Sequence, residues 1–429
     1  MRRVVITGMG VVSPLGNTLD AFWHGLISGR SATKSLKDII HCDLFERLGA
    51  EFDSQVIAEV EQFEEAQHLP IHIRQRDRYV QFAVAAALQA VYDAQLDESS
   101  AAIREHWGIA FTSAVGAAQA TEAAYCLATQ NGTEALDPAK IPREFYLDWL
   151  CNAPTLLLAQ LLNVHGPCDT ISSACASGVD VIGYAYELIR DNNATIMLAG
   201  ASEAPLAPTR FGGCDVIHCL ATGFNDQPQR ASRPFDKKRS GFVMGEGAGA
   251  FLLEEREHAV NRGVHIYAEI TGFGLTSNAT HMVSLKPAVA PHLARAIKQA
   301  MSEARVTPEN IHYINPHASS TNQNDQTETR AIKQALGKHA YEVPMSATKS
   351  EIGHSLATAG FFGAMAATLS LTEGMIHPTI NYEEPDPLCD LDYVPHKARQ
   401  FNGTHALVIA SGFSGTHATL VLQKAEGPV

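Results

Sequence analysis

The sequence predicts an α/β protein in which parallel strands are covered by helices and the chain falls into two related halves. Two observations carry this expectation. Short apolar, β-branched runs alternate with longer stretches of helical periodicity, the pattern of sheets joined by crossover helices. The Val4–Thr7 run and the Ile266–Gly272 run then each open a similar series. In each series a strand runs straight into a reactive-looking turn: Ser173-Ala174-Cys175 in the first half, Asn315-Pro316-His317 in the second. Residue identity between the halves is low, so the suspected duplication rests on the order of elements.

The first run begins like a secretion signal, Met1-Arg2-Arg3-Val4-Val5-Ile6, but Thr7-Gly8-Met9-Gly10 interrupts it early and no small-residue cleavage site follows. It therefore reads as a buried strand. Helical spacing follows over Tyr79–Ala94, with strands at Gly108–Thr112 and Asp169–Ser172, a helix over Val179–Arg190, and strands at Thr195–Ala199 and Ala250–Leu253. The second series has a strand at Ile266–Gly272, a helix over Pro291–Ala304, and a strand at His312–Asn315. Helices over Glu328–Leu336 and Gly360–Thr372 follow, and strands Ala406–Ala410 and Thr419–Leu422 close it. Gly223–Lys238, rich in Pro, Asn, Asp and Arg, reads as a long surface loop. No low-complexity linker separates the halves, so one body is expected.

Composition narrows the class. The 429 residues are 45% hydrophobic and 18% charged, a globular balance. The 32 Lys and Arg residues against 46 Asp and Glu give a net charge of −14. That argues against bulk nucleic-acid binding, which needs a broad basic surface. No apolar stretch approaches the roughly 18 residues that span a bilayer. The eight cysteines form no CxxC pair, so a zinc knuckle or a thioredoxin-type motif is not expected. A chain of this length buries a core without disulfides, and we read reduced thiols and a cytoplasmic setting.

The chemistry lies in four separated motifs. In Asp169-Thr170-Ile171-Ser172-Ser173-Ala174-Cys175-Ala176-Ser177-Gly178, small residues make a tight turn and a helix begins at or just after Cys175. A thiol there feels the positive end of the helix dipole, which favours thiolate, and nearby backbone N–H groups can hold an oxyanion. The plainer reading is a buried structural cysteine. Asn315-Pro316-His317-Ala318-Ser319-Ser320-Thr321 places a histidine at a strand end beside hydroxyls, with Asp325 and Glu328 sharing a helix face beyond it. These three also fit a satisfied loop histidine and ordinary helix-start carboxylates. In Ser346-Ala347-Thr348-Lys349-Ser350-Glu351-Ile352-Gly353-His354-Ser355, Lys349 and His354 flank a glycine that can turn the backbone sharply. Ala410-Ser411-Gly412-Phe413-Ser414-Gly415-Thr416-His417 reads as a strand end opening into a glycine loop, either a plain hairpin or a set of backbone donors beside the site.

Taken together, the order Cys175, His317, Lys349, His354 and Gly412-Phe413 resembles a β-ketoacyl synthase of the thiolase fold. The resemblance runs from Val4-Val5-Ile6-Thr7-Gly8-Met9-Gly10-Val11-Val12-Ser13-Pro14 to the last strand. It takes in Ala231-Ser232-Arg233-Pro234-Phe235-Asp236 and Gly241-Phe242-Val243-Met244-Gly245-Glu246-Gly247-Ala248. Within the family the chain is most similar to the α ketosynthase of type II polyketide synthases. The residues that carry this are Cys389-Asp390-Leu391-Asp392-Tyr393-Val394-Pro395, Gln323-Asn324-Asp325, Asn278-Ala279-Thr280-His281-Met282, Ser411-Gly412-Phe413 and Ser319. Three positions depart from the pattern. Ala318 and Ser414 replace glycines, and His417 stands where Asn or Gln is usual.

The resemblance implies a five-layered αβαβα body of two pseudo-duplicated βαβαβαββ halves, residues 1–258 with the nucleophilic cysteine and 259–429 with the two histidines. It implies that Cys175 is acylated from an acyl carrier protein, and that His317 and His354 promote decarboxylation of the malonyl unit. Backbone N–H groups of Cys175 and Phe413 form the oxyanion hole, and the Phe413 ring gates the acyl and malonyl positions. Lys349 orders the site with Glu328 and Asp325, while Ser319 and Thr321 meet the phosphopantetheine arm. No cofactor or metal is tightly bound; the substrates ride on carrier phosphopantetheine. An acidic enzyme meeting an acidic carrier needs local positive charge, and Arg74, Arg76 and Arg78 are the docking candidates. The expected partner is a chain-length-factor subunit in a heterodimer formed through Asp169–Ser172. Fatty-acid elongation by the same reaction is the alternative. A thiolase would carry a second cysteine in the last glycine loop, and a non-catalytic chain-length factor would lack Cys175.

Overall fold

The computed structural model describes residues 1–49, 51–61, 63, 69–70, 73–96, 105–284 and 286–426. Nine strands form one continuous sheet, assembled from two copies of the same unit. In the first copy the strands are β1 (Val4–Val12), β2 (Trp107–Thr112), β3 (Cys168–Thr170), β4 (Ile196–Glu203) and β5 (Gly247–Glu255). Its helices are α1 (Arg78–Asp93), α2 (Ala153–Leu162) and α3 (Ser177–Arg190). The second copy has β6 (Ala268–Ser277), β7 (Tyr313–Asn315), β8 (His405–Ser411) and β9 (Thr416–Lys424). Its helices are α4 (Ala290–Ala304), α5 (Asn322–Leu336) and α6 (Ala357–Glu373).

The first copy is ordered β3-β2-β4-β5-β1 and the second β7-β8-β9-β6, and the two meet where β1 pairs antiparallel with β6. An isolated parallel bridge from Ile314 to Met345 stands outside β7, where the counterpart of β3 belongs. Parallel and antiparallel neighbours then match position by position between the copies. This is the expected βαβαβαββ unit, repeated.

A close approach of strand to helix repeats as well. A Cβ on Gly8 or Gly10 would lie 2.1 or 2.0 Å from the carbonyl oxygens of Ala90 and Ala86 in α1. A Cβ on Gly272 or Gly274 would lie 2.1 Å from those of Ala300 and Ala296 in α4. The sequence Thr-Gly-X-Gly at 7–10 and 271–274 is thus a residue-level mark of the duplication. It was readable in the chain and absent from our expectation.

The layers follow from the apolar surfaces. Helix α1 covers the outer face of the first copy, and α4 with α5 covers that of the second. Helices α3 and α6 pack on each other and on strands of both copies, making the middle layer. Helix α6 is buried along nearly its whole length, as a central helix must be. The thiolase-like five-layered class holds.

Among the described helices of nine residues or more, three escaped the sequence reading: Leu19–Ile27, Ala118–Thr129 and α2. Helix α5 starts six residues before the expected Glu328, capped by Thr321. The 223–238 segment is only partly a surface loop. Residues 231–236 are buried, and Arg233 is satisfied there by Asp236 at 2.9 Å, since a buried charge needs a partner.

Candidate active site

The four motifs converge. Strand β3 delivers the chain into a single 3₁₀ turn, Ala174–Ala176, and α3 begins directly after it. The turn is sharp because Ala174 takes a positive φ of 53°. Cys175 sits at its centre and is 7% exposed. Gly412 presses on this turn: a Cβ there would lie 2.7 Å from the Ser173 carbonyl and 3.3 Å from the Cys175 nitrogen. The next residue, Phe413, brings its backbone N–H close enough to Cys175 to favour the ionised sulfur. Phe413 is half-buried, and the glycine loop is both a hairpin and a wall against the Cys175 turn.

His317 follows β7, and His354 follows the short helix Lys349–Ile352. Both rings are buried, with centroids 5.2 Å apart and planes at 82°. Glu328 in α5 fixes the His317 turn by accepting the N–H groups of His317 at 2.6 Å and Ala318 at 2.8 Å. Asp325 accepts the Phe235 N–H at 2.8 Å and lies 3.7 Å from Arg239. Lys349 is buried and bears electrostatically on Glu328, Cys175 and Asp325, with no carboxylate within 4.0 Å among the described residues. Its backbone carbonyl accepts from Ser232. Ser319 and Thr321 share a hydrogen bond of 2.9 Å at the start of α5.

Burial governs the protonation of this site. Loss of hydration, then the Lys349 charge, holds both histidines well below the usual imidazole range, so both rings are neutral at pH 7. Burial raises Glu328 and lowers Lys349, each easing the other's shift. Burial also pushes the Cys175 thiol up to about 12, against the Phe413 N–H and Lys349. Burial thus opposes the thiolate expected from the helix start and favours the neutral thiol.

The three docking candidates differ in their surroundings. Arg76 pairs with the buried Asp148 and donates to the Leu147 carbonyl at 2.8 Å. Arg78 pairs with the buried Glu246 at 2.8 Å and lies over the Phe82 ring. Both are half-buried and held by these partners. Arg74 is half-buried, its Nε without a partner in the structure.

Comparison with known proteins agrees with this geometry. The family model for the β-ketoacyl synthase N-terminal domain matches residues 1–259, and that for the C-terminal domain matches 267–383. The chain belongs to the β-ketoacyl synthase family. It is 40% identical over 426 residues to the tetracenomycin polyketide synthase ketoacyl synthase alpha subunit of Streptomyces glaucescens, covering 99% of this chain and 97% of that one. It is 38% identical to the 3-oxoacyl-[acyl-carrier-protein] synthase 2 of Coxiella burnetii, covering 99% of each. Its structure matches that of AntDE:AntF, a type II polyketide synthase acyl-carrier protein in complex with its ketosynthase. The TM-score is 0.90 at 37% identity, over 99% of this chain and 100% of that one.

In the synthase, then, Cys175, His317, His354, Lys349, Glu328 and Phe413 come from both halves and meet at the ends of β3, β7 and β8. Three residues of the site were given no chemical role in the sequence reading. Phe242 packs edge-on against His354, with ring centroids 5.1 Å apart. Ser411 and His417 are hydrogen-bonded at 2.9 Å. Phe242 lay inside a family motif, and His417 was visible as a departure. Neither contact could be read before β8, β9 and the 241–247 segment were placed in space.

Proposed function

We propose that this synthase is the condensing α-type subunit of a type II polyketide synthase and that it works in two half-reactions. The observation that carries the proposal is a buried thiol and two buried, neutral imidazoles at one site, with the Phe413 backbone near the sulfur. In loading, the Cys175 sulfur bonds to the acyl carbon of an acyl carrier protein thioester. The carrier thiol leaves and takes up the proton that Cys175 gives up. The tetrahedral oxyanion is held by the N–H groups of Cys175 and Phe413.

In extension, malonyl carrier protein loses CO₂, and the electron pair of the broken C–C bond moves into the thioester as an enolate. Neutral His317 and His354 donate N–H groups to that oxygen. A cationic imidazole is not needed, and burial disfavours one. The enolate carbon attacks the Cys175 thioester, and collapse expels the Cys175 sulfur as thiolate, which takes up one proton from solvent to return to the thiol. Glu328 positions the His317 turn. Lys349 counters the buried carboxylates. Ser319 and the half-exposed Thr321 flank the route of the phosphopantetheine arm. Of the three arginines, Arg74 remains as the docking contact for the carrier.

The partner in this reading is a homologous chain-length factor. Strand β3 is an edge strand, and exposed Tyr146, Leu147, Trp149, Leu150 and Leu156 form an apolar face in the same part of the first copy. Both features are what a partner subunit covers. Fatty-acid elongation remains the second reading, because the Coxiella relative is nearly as similar.

The roles of the residues are tested by separating the steps. His317→Ala and His354→Ala should still load acyl groups on Cys175 but release CO₂ from malonyl carrier protein about 100-fold more slowly or worse. Release at the wild-type rate in either variant removes that histidine from the mechanism.

A further inference from the structure

Ser411 closes β8 and His417 lies opposite it on β9. Both are buried, at 2% and 1% exposure. The Ser411 hydroxyl meets His417 Nδ1 at 2.9 Å, while His417 Nε2 is buried with no partner among the described residues. On the other side of β8 lies β7, in parallel register from Asn315 to Val408, and His317 follows β7 by two residues. His317 Nδ1 is likewise buried and unpartnered. His417 is near enough to His317 to disfavour its protonation, and burial holds His417 itself down at about 4. Behind the reactive histidine there is thus a second neutral imidazole, anchored by a hydroxyl, and each ring carries an orphan nitrogen.

The proton count of this arrangement has one consistent solution that suits the reaction. A neutral imidazole carries one N–H and one acceptor nitrogen, and the bond made at one nitrogen fixes the other. If Ser411 donates into His417 Nδ1, then His417 Nε2 carries hydrogen. A single water placed between the two orphan nitrogens would pass that N–H on to the acceptor Nδ1 of His317. His317 then keeps its proton on Nε2, free for the enolate oxygen. We propose that Ser411 and His417 are positioning residues that hold His317 in the Nε2–H tautomer. The inference rests on the role given to His317 above. It assigns work to a histidine that stands where the family usually carries an amide side chain.

The test uses the full-length enzyme with its partner subunit, labelled with ¹⁵N-histidine, and reads the His317 ring nitrogens together with the kinetics. In the wild type, Nε2 of His317 should be the protonated nitrogen. His417→Ala should turn His317 into a tautomer mixture and lower kcat for CO₂ release by about tenfold or more. KM for malonyl carrier protein should move less than about twofold, and acyl loading of Cys175 should persist. Ser411→Ala should act in the same direction. His417→Gln, which keeps an N–H donor and an acceptor, should recover most of the rate. A wild-type His317 protonated on Nδ1, or an unchanged tautomer and kcat in His417→Ala, overturns the proposal. So does a variant that loses loading and decarboxylation together, because the role is then structural. His317→Ala, run beside these, separates the two levels: decarboxylation that survives it refutes the role of His317 rather than the relay.

Discussion

At the residue scale, the site works against hydration. Each ionisable group in it is buried, and the shifts take the directions burial dictates: thiol and carboxylates up, imidazoles and lysine down. A thiol near 12 exists as thiolate only in proportion to hydroxide across the neutral range. Alkylation of Cys175 by iodoacetamide should therefore quicken about tenfold per pH unit from 7 to 9, without a plateau. A plateau below pH 8 would restore the low-pKa thiolate suggested by the helix start. The motifs were legible because this chemistry is written in residue types. The thiol's protonation was not, because it depends on how completely Phe413, Gly412 and α6 enclose the turn.

Two departures from the family pattern have a visible cost. Ala318 and Ser414 adopt φ of 45° and 78°, the left-handed region where glycine is at ease. Ser414 is exposed, so its side chain offers little packing in return. Ser414→Gly should raise the free energy of unfolding by roughly 0.5–1 kcal/mol in urea titration. No gain would mean that contacts of the Ser414 side chain offset the strain.

At the scale of elements, the duplication is built into the contacts between β1 and α1 and between β6 and α4. Gly8→Ala and Gly272→Ala each force a methyl group into a helix carbonyl and should cost about 3 kcal/mol or more. Gly213→Ala, whose new methyl group meets nothing within 4 Å, should change stability by about 1 kcal/mol or less. Equal tolerance of all three in thermal melts would contradict the packing described here. Strongly patterned elements such as α1, α3 and β1 were readable from the chain. Helix α2, Ala-Pro-Thr-Leu-Leu-Leu-Ala-Gln-Leu-Leu, was not, because a nearly uniform apolar run has no clear 3.6-residue rhythm. The ion pairs of Arg76 with Asp148 and Arg78 with Glu246 join residues 72 and 168 positions apart, beyond any local pattern.

At the scale of the molecule, the two copies each supply half of one site. Cys175 comes from the first, His317, His354 and Phe413 from the second, and α3 and α6 hold them together. In the reading proposed above, the edge of β3 and the exposed Tyr146, Leu147, Trp149, Leu150 and Leu156 leave a surface suited to a second pair of thiolase-like halves, the chain-length factor. Expressed alone, the chain should be poorly soluble or inactive in extension, and co-expression with a homologous subunit lacking the cysteine should rescue it as a 1:1 complex. The most direct measurement is intact-protein mass spectrometry of the carrier protein after incubation with malonyl carrier protein and this chain, with and without that subunit. The account predicts a ladder of unreduced ketide additions that needs both the partner and Cys175. Extension by the chain alone as a stable homodimer would contradict it and place the protein with the fatty-acid elongating synthases.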